Sequence, residues 1–125
     1  HAEIVEYHHN RKADAPSGTS LQTAKGMAEG LAESGQSRFN PTLGPEEETV
    51  AGARGGLLPD GLRIHSVRLP GFLAHQEVVF GEKGQLLTIR HDTFDRGCFM
   101  PGVVLACKRI LTKPAGLHVG LESLL

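Results

Sequence analysis

Fourteen consecutive residues hold most of the chemistry this chain can offer: Glu6-Tyr7-His8-His9-Asn10-Arg11-Lys12-Ala13-Asp14-Ala15-Pro16-Ser17-Gly18-Thr19. His8 and His9 are the side chains that change protonation near neutral pH, and Lys12 is a compact point cation. Ser17, Gly18 and Thr19 follow a proline and read as a helix start. A helix start presents hydroxyls, unpaired amide N–H groups and roughly half a positive charge. Taken alone, Pro-Ser-Gly is ordinary N-cap grammar. Lys12, five residues upstream, changes the balance, because its ammonium can fold over the same helix end and complete a seat for a carboxylate or phosphate. Gly18, lacking a side chain, lets an anion approach the amides.

The histidines admit three readings: metal ligands, a proton-transfer pair, or polar residues closing a strand. Zinc needs three or four ligands at matching spacing. The other histidines are scattered singly and no Cys-x-x-Cys or His-Glu-x-x-His occurs, so no metal is expected. An acid beside an anion seat is the natural task for a histidine. Asp14 can orient a histidine, orient Lys12, or end the loop, and its position favours the last. Ser17 has no base-and-orienter pattern around it, which argues against an acyl-transfer nucleophile.

Elements must bring these residues together. Ala2 to His8 suits a strand, with Ile4, Glu6 and His8 on one side and Val5, Tyr7 and His9 on the other. From Ser17, the spacing of Leu21, Ala24, Met27 or Ala28 and Leu31 predicts an amphipathic helix stopped at Gly35. Residues 36 to 61, with Pro41, Gly44, Pro45, the run Glu46-Glu47-Glu48, Gly52, Gly55, Gly56 and Pro59, read as one long loop. Three strands follow, Leu62 to Leu69, Leu73 to Phe80 and Gln85 to His91, and their short connections predict an antiparallel meander. Val103, Val104, Cys107, Ile110 and Leu111 form a second helical stripe ended by Pro114, and a short helix is expected at Leu121 to Leu125. The order predicts an α+β fold, a mixed and largely antiparallel β-sheet with helices packed on one face. Val67, Leu69, Val79, Phe80, Leu87 and Ile89 provide apolar surface for both faces, so the other face is expected to serve oligomerisation.

At 125 residues the chain has the length of one domain. Thirteen Lys and Arg against 14 Asp and Glu leave no polybasic footprint for nucleic acid or an anionic membrane. No apolar run is long enough to span a bilayer, and the start has none of the regions of a signal peptide. Cys98 and Cys107, nine positions apart in one expected helix, are read as two buried or half-buried thiols in a reducing compartment. No Gly-x-Gly-x-x-Gly follows a strand. A first residue that is His1, with strand character already at Ala2, suggests a chain cut from something longer, its missing part on the N-terminal side.

The pattern Glu6-x-His8-His9-x-x-Lys12-x-Asp14-x-Pro16-Ser17-Gly18-Thr19 resembles the signature of the dihydrodipicolinate reductases (4-hydroxy-tetrahydrodipicolinate reductases) of the diaminopimelate route to lysine. The likeness continues through Ala53-Arg54-Gly55-Gly56, through Ile64-His65-Ser66-Val67-Arg68-Leu69-Pro70-Gly71 and Ala74-His75-Gln76-Glu77-Val78, and through Arg96-x-x-Phe99-x-x-Gly102. The resemblance implies that residues 1–125 are one C-terminal domain for substrate binding, catalysis and oligomerisation, without the N-terminal Rossmann domain that binds NADPH or NADH. It implies a small cyclic dicarboxylate as substrate, with His8 as proton donor and acceptor and Lys12 as second donor and carboxylate contact. His9, Ser17, Gly18 and Thr19 match the positions that hold the substrate carboxylates, and Arg96 and Phe99 those that approach the cofactor. A homotetramer in the cytoplasm, or in a plastid for a plant protein, is the implied setting. Ser20 replaces a common alanine, a change read as of little consequence. The rival reading is a catalytically silent oligomerisation or binding module.

Overall fold

The computed structural model describes residues 1–40 and 47–125; Pro41, Gly44, Pro45 and Glu46 of the expected loop lie outside them. Two compact units are present, His1–Phe94 and Asp95–Leu125.

In the first unit β1 spans Ala2–His8, and Ala2, Ile4 and Glu6 are buried while Glu3, Val5 and Tyr7 are only half-covered. The expected alternation is therefore present, with a carboxylate at the third core position. Helix α1, Gly18–Glu33, begins where Ser17 caps it, its side chain accepting from the Ser20 amide at 3.2 Å. It ends at Gly35 (φ +76°), whose N–H donates to Ala32 while that of Gln36 donates to Leu31, which closes the helix in the left-handed turn that glycine favours. Ala24 of α1 is buried against Ala2, Ile4, Ile64, Leu62, Phe39 and Val78, with Met27 and Leu31 at the margin.

The remaining strands are β2 (Gly56–Leu57), β3 (Arg63–Arg68), β4 (Ala74–Glu82) and β5 (Gln85–Thr93). They form a five-stranded mixed sheet in the order β2-β3-β1-β4-β5, in which β1 runs parallel to β3 and every other pair is antiparallel. The α+β class and the largely antiparallel sheet agree with the sequence; the meander does not. Of the three expected strands β4 and β5 alone form a hairpin, because β1 lies between β3 and β4; the short β2 makes a second hairpin with β3. The connection Leu69–Leu73 must cross two strand spacings of about 4.8 Å each, a span that five extended residues cover easily.

Register divides the apolar residues between the two faces. Phe80, Leu87 and Ile89 share the face of Ile4 and Val78, toward α1, whereas Val67 and Val79 lie on the far face. The far face is largely polar. Tyr7 Oη donates to Glu77 (3.1 Å), Arg90 spans Glu77 and Asp92, and His75 pairs with Asp92 (2.7 Å). At the start of β1, buried Asn40 bonds the amide and carbonyl of Ala2 and the carbonyl of Gly61.

In the second unit a 3-10 turn, Arg96–Phe99, leads into α2, Met100–Ile110, and a 3-10 turn at Glu122–Leu124 follows. The helix forms as its spacing predicts, but Val103, Val104, Ile110 and Leu111 are exposed. Cys98 and Cys107 are exposed too, which corrects the expectation of buried thiols, and Cys98 sits in the 3-10 turn rather than in the helix. Within its own unit this short helix meets the two 3-10 turns, Arg96–Phe99 and Glu122–Leu124.

Candidate functional site

His8 closes β1, and the chain turns immediately after it: the Lys12 amide donates to the His9 carbonyl at 3.1 Å. His8 Nδ1 is hydrogen-bonded to Glu6 Oε2, two residues back on the same face. Glu6 is wholly buried. Its carboxylate also receives both arms of Arg68, Nη2 to Oε1 at 2.7 Å and Nη1 to Oε2 at 2.9 Å. Burial opposes the charge on Glu6, yet the hydrogen bonds from Arg68, Ser66 and His8 together with the Arg68 charge prevail, and its carboxyl lies below the ordinary value of 4.5. A carboxylate is acceptor-only, so His8 Nδ1 carries the hydrogen of their bond.

Lys12 is mostly covered, and its Nζ donates to both oxygens of Asp14 at 2.8 and 2.9 Å. Asp14 therefore does more than end the loop. Its carboxyl is held below the usual range by the Lys12 hydrogen bond, and its backbone carbonyl accepts from Arg68 Nη2 at 2.8 Å. One guanidinium thus ties the carboxylate behind His8 to the loop that carries Lys12.

At the start of α1, a chain of hydroxyls has a defined direction. Ser20 Oγ donates to Gln76 Oε1 at 2.8 Å, which uses its only hydrogen, so in the 2.9 Å Ser17–Ser20 contact Ser17 is the donor. Gln76 Nε2 in turn donates to Thr23 at 2.9 Å. The Ser17 hydroxyl is therefore committed inside the protein. The N–H groups of Gly18 and Thr19 have no acceptor among the described residues, both residues are exposed, and a Cβ on Gly18 would meet nothing within 4 Å. An anion at this helix end would meet those amides and the Thr19 hydroxyl more readily than the Ser17 side chain.

The two halves are linked through the sheet. Gln76, which receives Ser20, pairs with Glu6 across β4 and β1, and Ala74 pairs with His8. Structure thus brings His8, Lys12, Ser17, Gly18 and Thr19 to one end of β1 and the start of α1, with His9 half-buried at the turn between them. Arg96 and Phe99 share a 3-10 turn of the second unit, both exposed. Among the described residues no group of three or more His, Cys, Asp and Glu converges as for a metal ion. A cavity of about 630 Å³ is lined by Glu3, Val5, His65 and Val79, toward the opposite end of β1 from His8.

Sequence reasoning assigned no role to Glu6, Arg68 or Gln76 and discounted Ser20. Ser20 is fully buried and joins the helix cap to β4, so its hydroxyl is not a neutral replacement for a methyl. A signal did exist: Glu6 occupies a core position of the strand alternation, and Ser20 lies four residues before Ala24 on the buried helical face. A polar group at such a position must have a partner.

Residues 1–125 match the family described as dihydrodipicolinate reductase, C-terminus. The 4-hydroxy-tetrahydrodipicolinate reductase of Synechocystis sp. is 58% identical over 125 residues, all of this chain and 43% of that protein. Its counterpart in Nostoc sp. is 57% identical over the same span and share. A solved structure, a dipicolinate-bound dihydrodipicolinate reductase from Paenisporosarcina sp. TG-14, aligns with a TM-score of 0.76 and 45% identity, over 99% of this chain and 44% of that one. The chain spans less than half the length of these relatives.

Proposed function

This chain belongs to the family of dihydrodipicolinate reductase C-terminal domains, and from that premise we propose that it is the substrate-binding and proton-supplying part of a 4-hydroxy-tetrahydrodipicolinate reductase in the diaminopimelate route to lysine. The observation that carries the reading is the convergence at one end of β1: an imidazole held by a buried carboxylate, beside a helix start whose Gly18 and Thr19 amides have no acceptor among the described residues. The dipicolinate bound by the Paenisporosarcina relative is a planar dicarboxylate, the shape and charge such a seat would suit. Lys12, Thr19 and the Gly18 and Thr19 amides hold one or both carboxylates, with His9 as a further contact. Ser17 acts as the cap that keeps the amides in place.

His8 delivers a proton from Nε2, since Nδ1 is engaged with Glu6, and Lys12 is the second donor. A bound NADPH or NADH supplies the hydride. Toward that group this chain offers Arg96 and Phe99, an exposed guanidinium and ring in one turn that fit a phosphate and a flat heterocycle. We extend the same reading to a cytoplasmic homotetramer assembled through the sheet. Leu86 of edge strand β5, exposed on the face away from α1, supports it, and sedimentation equilibrium of the full-length protein checks it, a monomer arguing against it. Among the described residues no helix is long and apolar enough to cross a membrane.

The test is His8→Gln in the full-length enzyme. Turnover is expected to fall about 100-fold or more while affinity for pyridine-2,6-dicarboxylate stays within about twofold. Unchanged turnover removes His8 from the donor role.

A further inference from the structure

We propose that Glu6 is the positioning residue for His8, with Arg68 holding Glu6 in place, so that the buried pair selects the ring tautomer whose Nε2 faces the site. The inference rests on the donor reading of His8 for its catalytic consequence, though not for its structural content.

Three observations carry it. Glu6 has no exposed surface, and a buried carboxylate persists only where donors satisfy it. Its donors are at hand: Arg68 supplies a two-armed contact at 2.7 and 2.9 Å and His8 supplies Nδ1–H. All four Nη hydrogens of Arg68 are used, two on Glu6, one on the Val67 carbonyl at 2.8 Å and one on the Asp14 carbonyl at 2.8 Å. The guanidinium is thereby fixed in its plane, and the carboxylate has one geometry in which to receive the imidazole.

The consequence for proton transfer is simple. When His8 gives up a proton from Nε2, the neutral ring left behind retains Nδ1–H on Glu6, so no rotation or tautomer exchange is needed before the ring is protonated again. Without the carboxylate, the neutral ring has no fixed preference, and the form bearing its hydrogen on Nε2 lacks the lone pair that must accept the next proton. Asp14 extends the arrangement, since its carbonyl is held by Arg68 and its carboxylate holds Lys12.

The experiment uses the full-length reductase labelled with 15N-histidine, with the His8 signals assigned by their loss in His8→Gln. In the wild type, neutral His8 is expected to carry its hydrogen on Nδ1, and Glu6→Gln is expected to shift the population toward Nε2–H. Kinetically, Glu6→Gln should lower kcat about 10- to 100-fold with KM within about twofold. In the His8→Gln background the same change should cost less than about twofold, because a residue acting through His8 has nothing left to position. Neutral wild-type His8 protonated on Nε2 overturns the proposal, whether or not Glu6→Gln folds. An equal loss of kcat in both backgrounds also overturns it, since it marks a purely structural effect. If His8→Gln alone leaves turnover intact, the donor reading falls and the catalytic consequence with it, while the wild-type tautomer still decides the placement of Glu6.

Discussion

Replacing Ser20 with alanine isolates the polar link between helix α1 and strand β4. The Ser20 hydroxyl is completely buried, donates to Gln76 at 2.8 Å and accepts from Ser17 at 2.9 Å. Deleting it removes two hydrogen bonds, each with a net value of about 1 kcal/mol. Alanine returns about 0.5 kcal/mol through its better helix propensity. The net cost is about 1.5 kcal/mol, concentrated in the first turns of α1. Hydrogen exchange of the full-length protein, read by mass spectrometry on a peptide covering residues 17–24, should therefore quicken about tenfold, since 1.4 kcal/mol corresponds to a factor of ten. Gln76→Leu removes the acceptor instead, and the double variant should cost about 1 kcal/mol less than the sum of the singles. Unchanged exchange in Ser20→Ala, or strict additivity with Gln76→Leu, refutes the directed hydroxyl chain.

Gly18→Ala separates anion binding from folding. With nothing within 4 Å of the added Cβ, thermal stability should stay within about 0.5 kcal/mol. Calorimetry should nevertheless show weaker binding of pyridine-2,6-dicarboxylate, because the methyl crowds the two open amides; unchanged affinity removes Gly18 from the seat. Lys12→Ala should weaken the same ligand about tenfold or more, as expected for loss of a charge-assisted contact, and equal affinities measured side by side would exclude Lys12 as a carboxylate contact. Acid stability should depend on Glu6. Its carboxyl lies below its ordinary 4.5 in the folded protein, so its contribution is fully present above about pH 4.5 and is lost as pH falls through the lower folded value. Denaturant melts across pH 3 to 6 should show a steeper acid loss for the wild type than for Glu6→Gln, and parallel curves contradict the ionised pair.

The elements that place the site were legible because their signals are local. Alternation across Ala2 to His8 made a strand, a proline followed by Ser17 made a helix start, and Gly35 made its stop. The spacing of His8, Lys12 and Ser17-Gly18-Thr19 likewise pointed to one region, since a single turn and loop connect them. The partnership of Glu6 with Arg68 was not legible. It joins residues 62 positions apart and depends on β1 inserting beside β3, which the reading of β3 and β4 as a hairpin had excluded.

Sequence by itself determined which groups are available: an imidazole, an ammonium, hydroxyls and a glycine-flanked helix start, on elements whose type follows from side-chain periodicity. Tertiary structure decided what each group is free to do. Strand order brought Arg68 onto Glu6 and thereby assigned the hydrogen of His8 to Nδ1. Helix packing on β4 consumed the Ser17 and Ser20 hydroxyls while leaving the Gly18 and Thr19 amides without an acceptor among the described residues. The physical reason is that a hydrogen-bonding group has few bonding directions, and only the folded neighbours determine which of them are already taken.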